Sequence, residues 1–423
     1  MSDSTYRRTV LPSGLTVITE AMPDRRSVSV GAWLRNGARD EPGEWLGISH
    51  FIEHMMFKGT ERRDARAIAA SLESLGGHLD AFTAREQVCY YARALSEHLA
   101  AVVDVIADLL SRPRFADEDV TREKSVVREE ILACEDNPED KVNELLNEQM
   151  WGDHPLGRPI LGTLQTLDPI GSDALRAYYT SRYRAQDVVI AGAGGLEHER
   201  LLELAAGHFV SPAGEARPLS ELPPTFTPSV RHVVRDDLQQ LYVSLATRAV
   251  PYRHPDREPL IVLNTLLGGG MSSRLFQSVR EEAGLAYSVF SGLDFHRDSG
   301  LLSVHLGIAP ERAREALALV RRELEQLAAR GPEPDEVEAT RSQLRGSILI
   351  GQESVTNRMY HLAHEELYSD GYTTPEEQVA RIEAVTHDQV ADVARRYLAP
   401  RGFALTVLGP VEGQTIDARD WQM

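Results

Sequence analysis

Three ionisable side chains interrupt an otherwise apolar run in this chain. The stretch Gly47 to Thr60 carries His50, Glu53 and His54 among Ile48, Phe51, Ile52, Met55, Met56 and Phe57. On a helix, residues three and four apart share a face, so both imidazoles and the carboxylate between them point to one side. Burying three such groups without partners is costly, and a shared metal ion removes that penalty. Zinc suits imidazole nitrogen, and a catalytic zinc takes three protein ligands and keeps one position open for water. Glu53 stands where a general base for that water is needed. A lone histidine on an apolar face is ordinarily a satisfied core residue, and Glu-His neighbours often pair at a surface. Two histidines and a glutamate in the order His-x-x-Glu-His, the inverse of the His-Glu-x-x-His zinc motif, favour the metal.

A second helix bears on the same question. It opens at Asp117 and Glu118 and runs through Glu123, Val126, Val127, Glu130 and Ile131. Glu123 and Glu130 are seven apart and lie on one face. Spacing alone leaves two readings open: carboxylates that face a partner, or a solvated acidic surface shared with Glu129 and Glu135.

The elements that must position these residues follow from pattern. Two short strands flank the Pro12-Ser13-Gly14 turn between Thr9 and Glu20. Ser27 to Leu34 alternates as a half-buried strand (Val28, Val30, Ala32, Leu34), and a polar loop from Asn36 to Glu44 leads into the His50 helix. A helix near Asp64–Leu75 is stopped by Gly76-Gly77. A strand pair follows between His78 and Leu95, then helices at Ser96–Leu110, Lys141–Met150 and Ser172–Tyr183. Val188–Ala193 is a strand, and a helix from His198 to His208 follows it. Gly192-x-Gly194-Gly195 between them lacks the full dinucleotide spacing and reads as a strand-to-helix turn.

At 423 residues the chain exceeds one ordinary domain. Its net charge of −19 argues against nucleic acid as a partner and favours basic or neutral ones. Two cysteines, Cys89 and Cys134, give no disulfide framework and fit a reducing, cytoplasmic setting. Met1 to Arg8 has no apolar core behind its charges, so a secretory signal is not expected, and no apolar run is long enough to span a membrane.

The Pro-rich stretch 211–230 reads as a linker between residues 1–210 and 231–423. Traces of a duplication join the halves. Arg182-Tyr183 before one strand is echoed by Arg396-Tyr397 before another, Ser172 as a helix cap by Thr386, and Glu118-Asp119-Val120 by Asp335-Glu336-Val337. The second half carries no His-x-x-Glu-His; His361, His364 and Glu365 read as an amphipathic helix surface. It does carry Gly268-Gly269-Gly270, without the lysine of a phosphate loop, followed by Arg280 and Tyr287.

Taken together, Gly47 to Thr60, the run Glu123 to Glu130 and the segment Gly268 to Tyr287 resemble the pitrilysin and insulysin family of zinc peptidases. The likeness is greatest to the branch that includes the mitochondrial processing peptidase beta subunit and its bacterial relatives. The resemblance implies one Zn2+ per chain, held by His50, His54 and Glu130 rather than Glu129, with Glu123 supporting the site and Glu53 as the base. It implies that Arg280 and Tyr287 reach the substrate and stabilise the oxyanion. It also implies a peptide bound as an added strand beside Ala81, Phe82 and Thr83, with Gly268, Gly269 and Gly270 as further substrate contacts. Asp80 stands where many members have asparagine. The fold implied is α+β: two homologous domains, each a mostly antiparallel sheet packed with helices, in a clamshell-type dimer. Because one chain holds both motif sets, a self-sufficient homodimer is expected, with a heterodimer containing an inactive homologue as the other arrangement. The expected activity is zinc-dependent endopeptidase action on peptides or unfolded segments in an enclosed chamber. The alternatives are an inactive assembly or binding protein of the same fold and a non-proteolytic zinc hydrolase.

Overall fold

Strand-forming segments rich in valine, alanine and aromatic residues build two sheets. The computed structural model describes residues 5–211 and 224–410, which fall into two units. One comprises 5–133, 158–211 and 350–372; the other comprises 134–157, 224–349 and 373–410. Most of the expected linker, 212–223, lies outside the described residues, as do residues 1–4.

The first unit holds β1 (Thr5–Val10), β2 (Thr16–Ala21), β3 (Ser27–Leu34), β4 (His78–Thr83), β5 (Val88–Leu95) and β6 (Val188–Gly194). Their order is β1-β2-β6-β3-β5-β4, antiparallel except for β2 against β6. The second unit holds β7 (Val230–Val234), β8 (Leu241–Ala249), β9 (Ala286–Phe295), β10 (Gly300–Ile308) and β11 (Ala404–Gly409), in the order β7-β11-β8-β10-β9. Here β7 and β11 are the parallel pair. The run β2-β6-β3-β5-β4 therefore matches β7-β11-β8-β10-β9 strand for strand and in the sense of every pairing, as a duplication requires.

Two segments depart from the division into residues 1–210 and 231–423. Helix Pro138–Trp151 belongs to the second unit and helix Val355–Tyr368 to the first. The reason is burial. One face of the first sheet (Val28, Val30, Ala32, Leu34, Tyr90, Ala92) packs on Ile48, Phe51, Ile52, Val102 and Ile106. The opposite face (Ile18, Trp33, Cys89, Val189, Ala191) needs a cover too, and Met359, Leu362 and Ala363 supply it. The β3 strand is thus buried on both faces rather than one. The His361 helix is correspondingly a sheet cover; its Arg358 pairs with fully buried Glu20, which also accepts from Tyr372 at 3.1 Å. In the second unit Leu146, Met150 and Trp151 pack with Ala246, Leu301 and Ala404 in the same manner.

Other expectations are adjusted locally. Gly171, not Ser172, is the N-cap of Ser172–Arg182, and the Ser172 hydroxyl binds Asp117 instead. The loop after β3 is polar but buried from Asn36 to Glu41, because its backbone pairs with the β4–β5 turn. Ala38 N–H donates to Ala84 O at 3.1 Å and Arg39 N–H to Arg85 O at 2.8 Å. A Cβ on Gly37 would stand 2.3 Å from Ala84 O, so glycine is required for this approach. Arg39 and Glu86 close the corner as an ion pair at 2.7 Å, with side chains 0% and 3% exposed.

Candidate metal centre and its surroundings

The helix Ile48–Met56 begins at Gly47, whose φ of 89° is left-handed and whose Cβ would meet Leu161 O at 2.4 Å. Glycine offers no side-chain cap, so the first N–H groups are satisfied from elsewhere. Glu41 accepts from Gly47 N–H at 2.7 Å and Ser49 N–H at 2.8 Å. Its carboxylate thus lies at the positive end of the helix that bears both histidines. Burial pushes Glu41 up to about 7, against the pull of its bonds to Ser49 and Gly47 and the nearby Arg158.

The helix Asp117–Asp136 brings its carboxylates to that helix. Glu130 Oε1 lies 3.5 Å from His50 Nε2, and Oε2 lies 3.3 Å from His54 Nε2. One donor atom from each of His50, His54 and Glu130 falls within 4.8 Å of the others, the one group of this kind among the described residues. Glu123 binds the opposite nitrogen, Nδ1 of His54, at 2.9 Å, and Lys58 Nζ lies 2.8 Å from its second oxygen.

The donor chemistry fits a cation. Hydrogen bonds from His50 and His54 hold the Glu130 carboxyl well below the usual range. Burial opposes a charge on His54, but Glu123 and Glu130 outweigh it and push its pKa to about 9. Two carboxylates thus demand positive charge at one imidazole, which a divalent ion at its Nε2 would also satisfy. The His50 Nδ1 is buried without a hydrogen-bond partner, so its Nε2 is the nitrogen turned to the cluster.

Glu53 projects from the same helix toward β4. Thr83 donates its hydroxyl to Glu53 Oε2 at 2.6 Å. Burial raises the Glu53 pKa, and the Thr83 bond and the charges of His50 and His54 work against the rise.

The strand beside it separates the expected substrate contacts. Ala81 packs with Leu79 on the core under the His50 helix, whereas Phe82 faces the other side, 6.1 Å from the Tyr360 ring. Asp80, also on that side, accepts from Tyr91 OH at 3.2 Å and from Ala81 N–H at 2.9 Å.

Arg280 and Tyr287 belong to the second unit, where two irregularities bring them together. Arg280 lies in a π-helical segment, Phe276–Glu282. Tyr287 occupies a bulge: Ala286 pairs with Ile308 and Ser288 with Gly307, leaving Tyr287 between them. Tyr287 is 81% exposed, and the Arg280 guanidinium carbon lies 5.3 Å from its ring centre and 4.7 Å from that of Phe276. Of the glycines, Gly268 packs so closely on β9 that a Cβ would lie 2.5 Å from Ser291 N, and Gly269 is as close to Thr265, at 2.6 Å. Gly270 is open, with Gln343 Nε2 at 3.5 Å. Packing therefore accounts for Gly268 and Gly269.

Sequence reasoning missed two contributors. Lys58 is four residues beyond His54, a spacing that could have revealed it. Glu41 reaches the His50 helix across a loop, and nothing in its local sequence announces that.

Comparison with known proteins agrees with this architecture. The family model described as Insulinase (Peptidase family M16) matches residues 16–164, and that of the Peptidase M16 inactive domain matches 169–344. A protein of Mycobacterium tuberculosis named an uncharacterized zinc protease is 40% identical over 409 residues, covering 96% of this chain and 93% of its own. One of Bacillus subtilis with the same description is 36% identical, with 96% and 98% covered. The mitochondrial-processing peptidase subunit beta of Lentinula edodes is 32% identical, with 95% and 90% covered. Among solved structures, a peptidase M16 inactive domain from Pseudomonas fluorescens superposes with a TM-score of 0.89 at 22% identity, covering 96% of this chain and 98% of that one. A protease from Helicobacter pylori gives 0.89 at 18%, with 96% and 100% covered. With its metal-site motif in the half matched by the insulinase model and a second, motif-free half of the same strand order, the chain belongs to peptidase family M16, the pitrilysin-like zinc peptidases.

Proposed function

We propose that this chain is a zinc-dependent endopeptidase acting on peptides or unfolded polypeptide segments. The carrying observation is the convergence of His50, His54 and Glu130 within 4.8 Å beside a general-base candidate, Glu53, on the same helix. His50, His54 and Glu130 hold one zinc ion, which supplies Lewis-acid activation of water and of the scissile carbonyl. Glu53 takes a proton from the attacking water and delivers it to the leaving amine. Glu123 keeps the His54 ring in orientation through Nδ1, with Lys58 balancing its charge. Arg280, half-buried, and the exposed Tyr287 beside it offer donors to the developing oxyanion.

The peptide is proposed to add as a strand to β4, the edge of the first sheet, alongside Ala81, Phe82 and Thr83, with Gly270 as a further contact. A homodimer enclosing a chamber and a cytoplasmic location complete the reading. Both cysteines are free thiols, and no helix among the described residues is long and apolar enough to cross a membrane. The net charge of −19 favours basic peptides.

The test is hydrolysis of a mixed library of unstructured peptides by the purified, zinc-loaded chain alone. Cleavage lost with a chelator and restored by zinc is expected. Zinc bound at one per chain without cleavage of any peptide would overturn the self-sufficient peptidase and favour an assembly role.

A further inference from the structure

Thr83 stands where the edge strand β4 meets the Glu53 carboxylate. In the β4–β5 hairpin, Ala84 N–H donates to Gln87 O at 2.8 Å across a two-residue turn, so Ala84 and Gln87 form a hydrogen-bonded pair. Pairs alternate along an antiparallel ladder. Phe82 with Cys89 and Asp80 with Tyr91 are therefore also hydrogen-bonded, and the backbone groups of Leu79, Ala81 and Thr83 turn outward from β5. The outward N–H of Ala81 is already taken by the Asp80 carboxylate at 2.9 Å. Thr83 presents its outward backbone where an added strand would meet the sheet edge.

The same residue turns its side chain toward the His50 helix and gives its one hydroxyl proton to Glu53 Oε2 at 2.6 Å. The other Glu53 oxygen carries no hydrogen bond among the described residues. Thr83 is itself held firmly. It lies between the hydrogen-bonded pairs Phe82–Cys89 and Ala84–Gln87, and the turn after it is locked by Ala38, Arg39 and the buried Arg39–Glu86 pair. A glutamate has three rotatable bonds, and a fixed donor on one oxygen limits where the other can stand.

We infer that Thr83 is the positioning residue for Glu53: its hydroxyl fixes one carboxylate oxygen while its backbone receives the substrate strand. Rather than only contacting substrate, it ties the register of the bound peptide to the orientation of the proton acceptor. This inference rests on the peptidase reading above.

The experiment compares the full-length, zinc-loaded protein with Thr83→Val, which keeps shape and loses the hydroxyl, and Thr83→Ser, which keeps the hydroxyl. Steady-state cleavage of a quenched-fluorescence peptide should show kcat falling about 10- to 100-fold in Thr83→Val. KM and zinc content should stay within about twofold of the parent, and Thr83→Ser should restore most of kcat. Unchanged kcat in Thr83→Val, a loss carried by KM alone, or an equal loss in Thr83→Ser would overturn the inference. A second readout needs no turnover: Thr83→Val should lower Tm in the parent but not when Glu53 is already alanine. Equal shifts in both backgrounds would deny the pairing. Failure of the peptidase reading looks different: the parent itself cleaves no peptide while the Thr83–Glu53 coupling remains.

Discussion

Glu123 and Glu130, two helical turns apart, address opposite nitrogens of one imidazole. Glu123 lies 2.9 Å from His54 Nδ1 and Glu130 lies 3.3 Å from Nε2. The first bond would aim the ring and keep a proton on Nδ1; the second marks where a cation would stand. Glu123 is nearly buried and its charge is balanced by Lys58 at 2.8 Å. Glu123→Gln should therefore weaken zinc binding by about 10- to 100-fold while leaving the fold intact. Lys58→Met should act in the same direction but less. Competition against a chromophoric chelator measures both, and parental affinity in Glu123→Gln would deny the orienting role.

Glu130 and its neighbour Glu129 differ by one helical step, and only Glu130 turns its oxygens to His50 and His54. Glu130→Gln is expected to fall well below one zinc per chain after dialysis, whereas Glu129→Gln should retain it. Metal analysis of the two variants decides; the reverse result would move the ligand by one residue.

The corner that carries Thr83 depends on charges removed from water. Arg39 and Glu86 are 0% and 3% exposed, and removing one takes from the other an ion-pair partner at 2.7 Å in a site shielded from water. Arg39→Met should destabilise the protein by about 3–5 kcal/mol, read as a lower urea midpoint. Arg39→Met with Glu86→Leu should recover part of that loss, because the buried charge that Arg39 balanced is removed with it. A single substitution as stable as the parent would mean that the rest of the corner holds Glu86 without Arg39.

How far the sequence foretells the site depends on distance along the chain. His50, Glu53 and His54 share one helix, where a 3.6-residue period places them without knowledge of the fold. Glu130 cannot be separated from a solvated face by spacing, because its partners lie 76 and 80 residues earlier and only tertiary packing brings them near. The strands at Ser27 and Val188 are apparent from pattern. The second covering helix of each sheet is not, since nothing in Met359, Leu362 or Ala363 names the distant strands that they bury. Tyr287 is a similar case: its projection comes from a bulge that exists only once β9 pairs with β10.

Glu41 ties the stability of the metal helix to pH. Its oxygens accept from Gly47 and Ser49, in place of the side-chain cap that glycine lacks, and only 5% of the residue is exposed. Burial raises its pKa to about 7 in the folded protein, while the unfolded chain releases the same proton near about 4.3. Between those values the unfolded state binds fewer protons, so stability falls as pH rises. The contribution is complete below about pH 4.3 and lost by about pH 7, and it amounts to about 4 kcal/mol for a shift of this size. Glu41→Gln cannot ionise, so the difference between parent and variant should change across that window and level off above it. The substituted amide also offers one acceptor oxygen where two N–H groups need one each, which should lower the stability of the variant at every pH by about 1–3 kcal/mol. Urea midpoints of both proteins from about pH 4 to 8, measured with zinc in excess, give the difference directly. Parallel curves would mean that Glu41 enters the fold already ionised, with its charge stabilised by the helix N-terminus and Arg158 rather than opposed by burial.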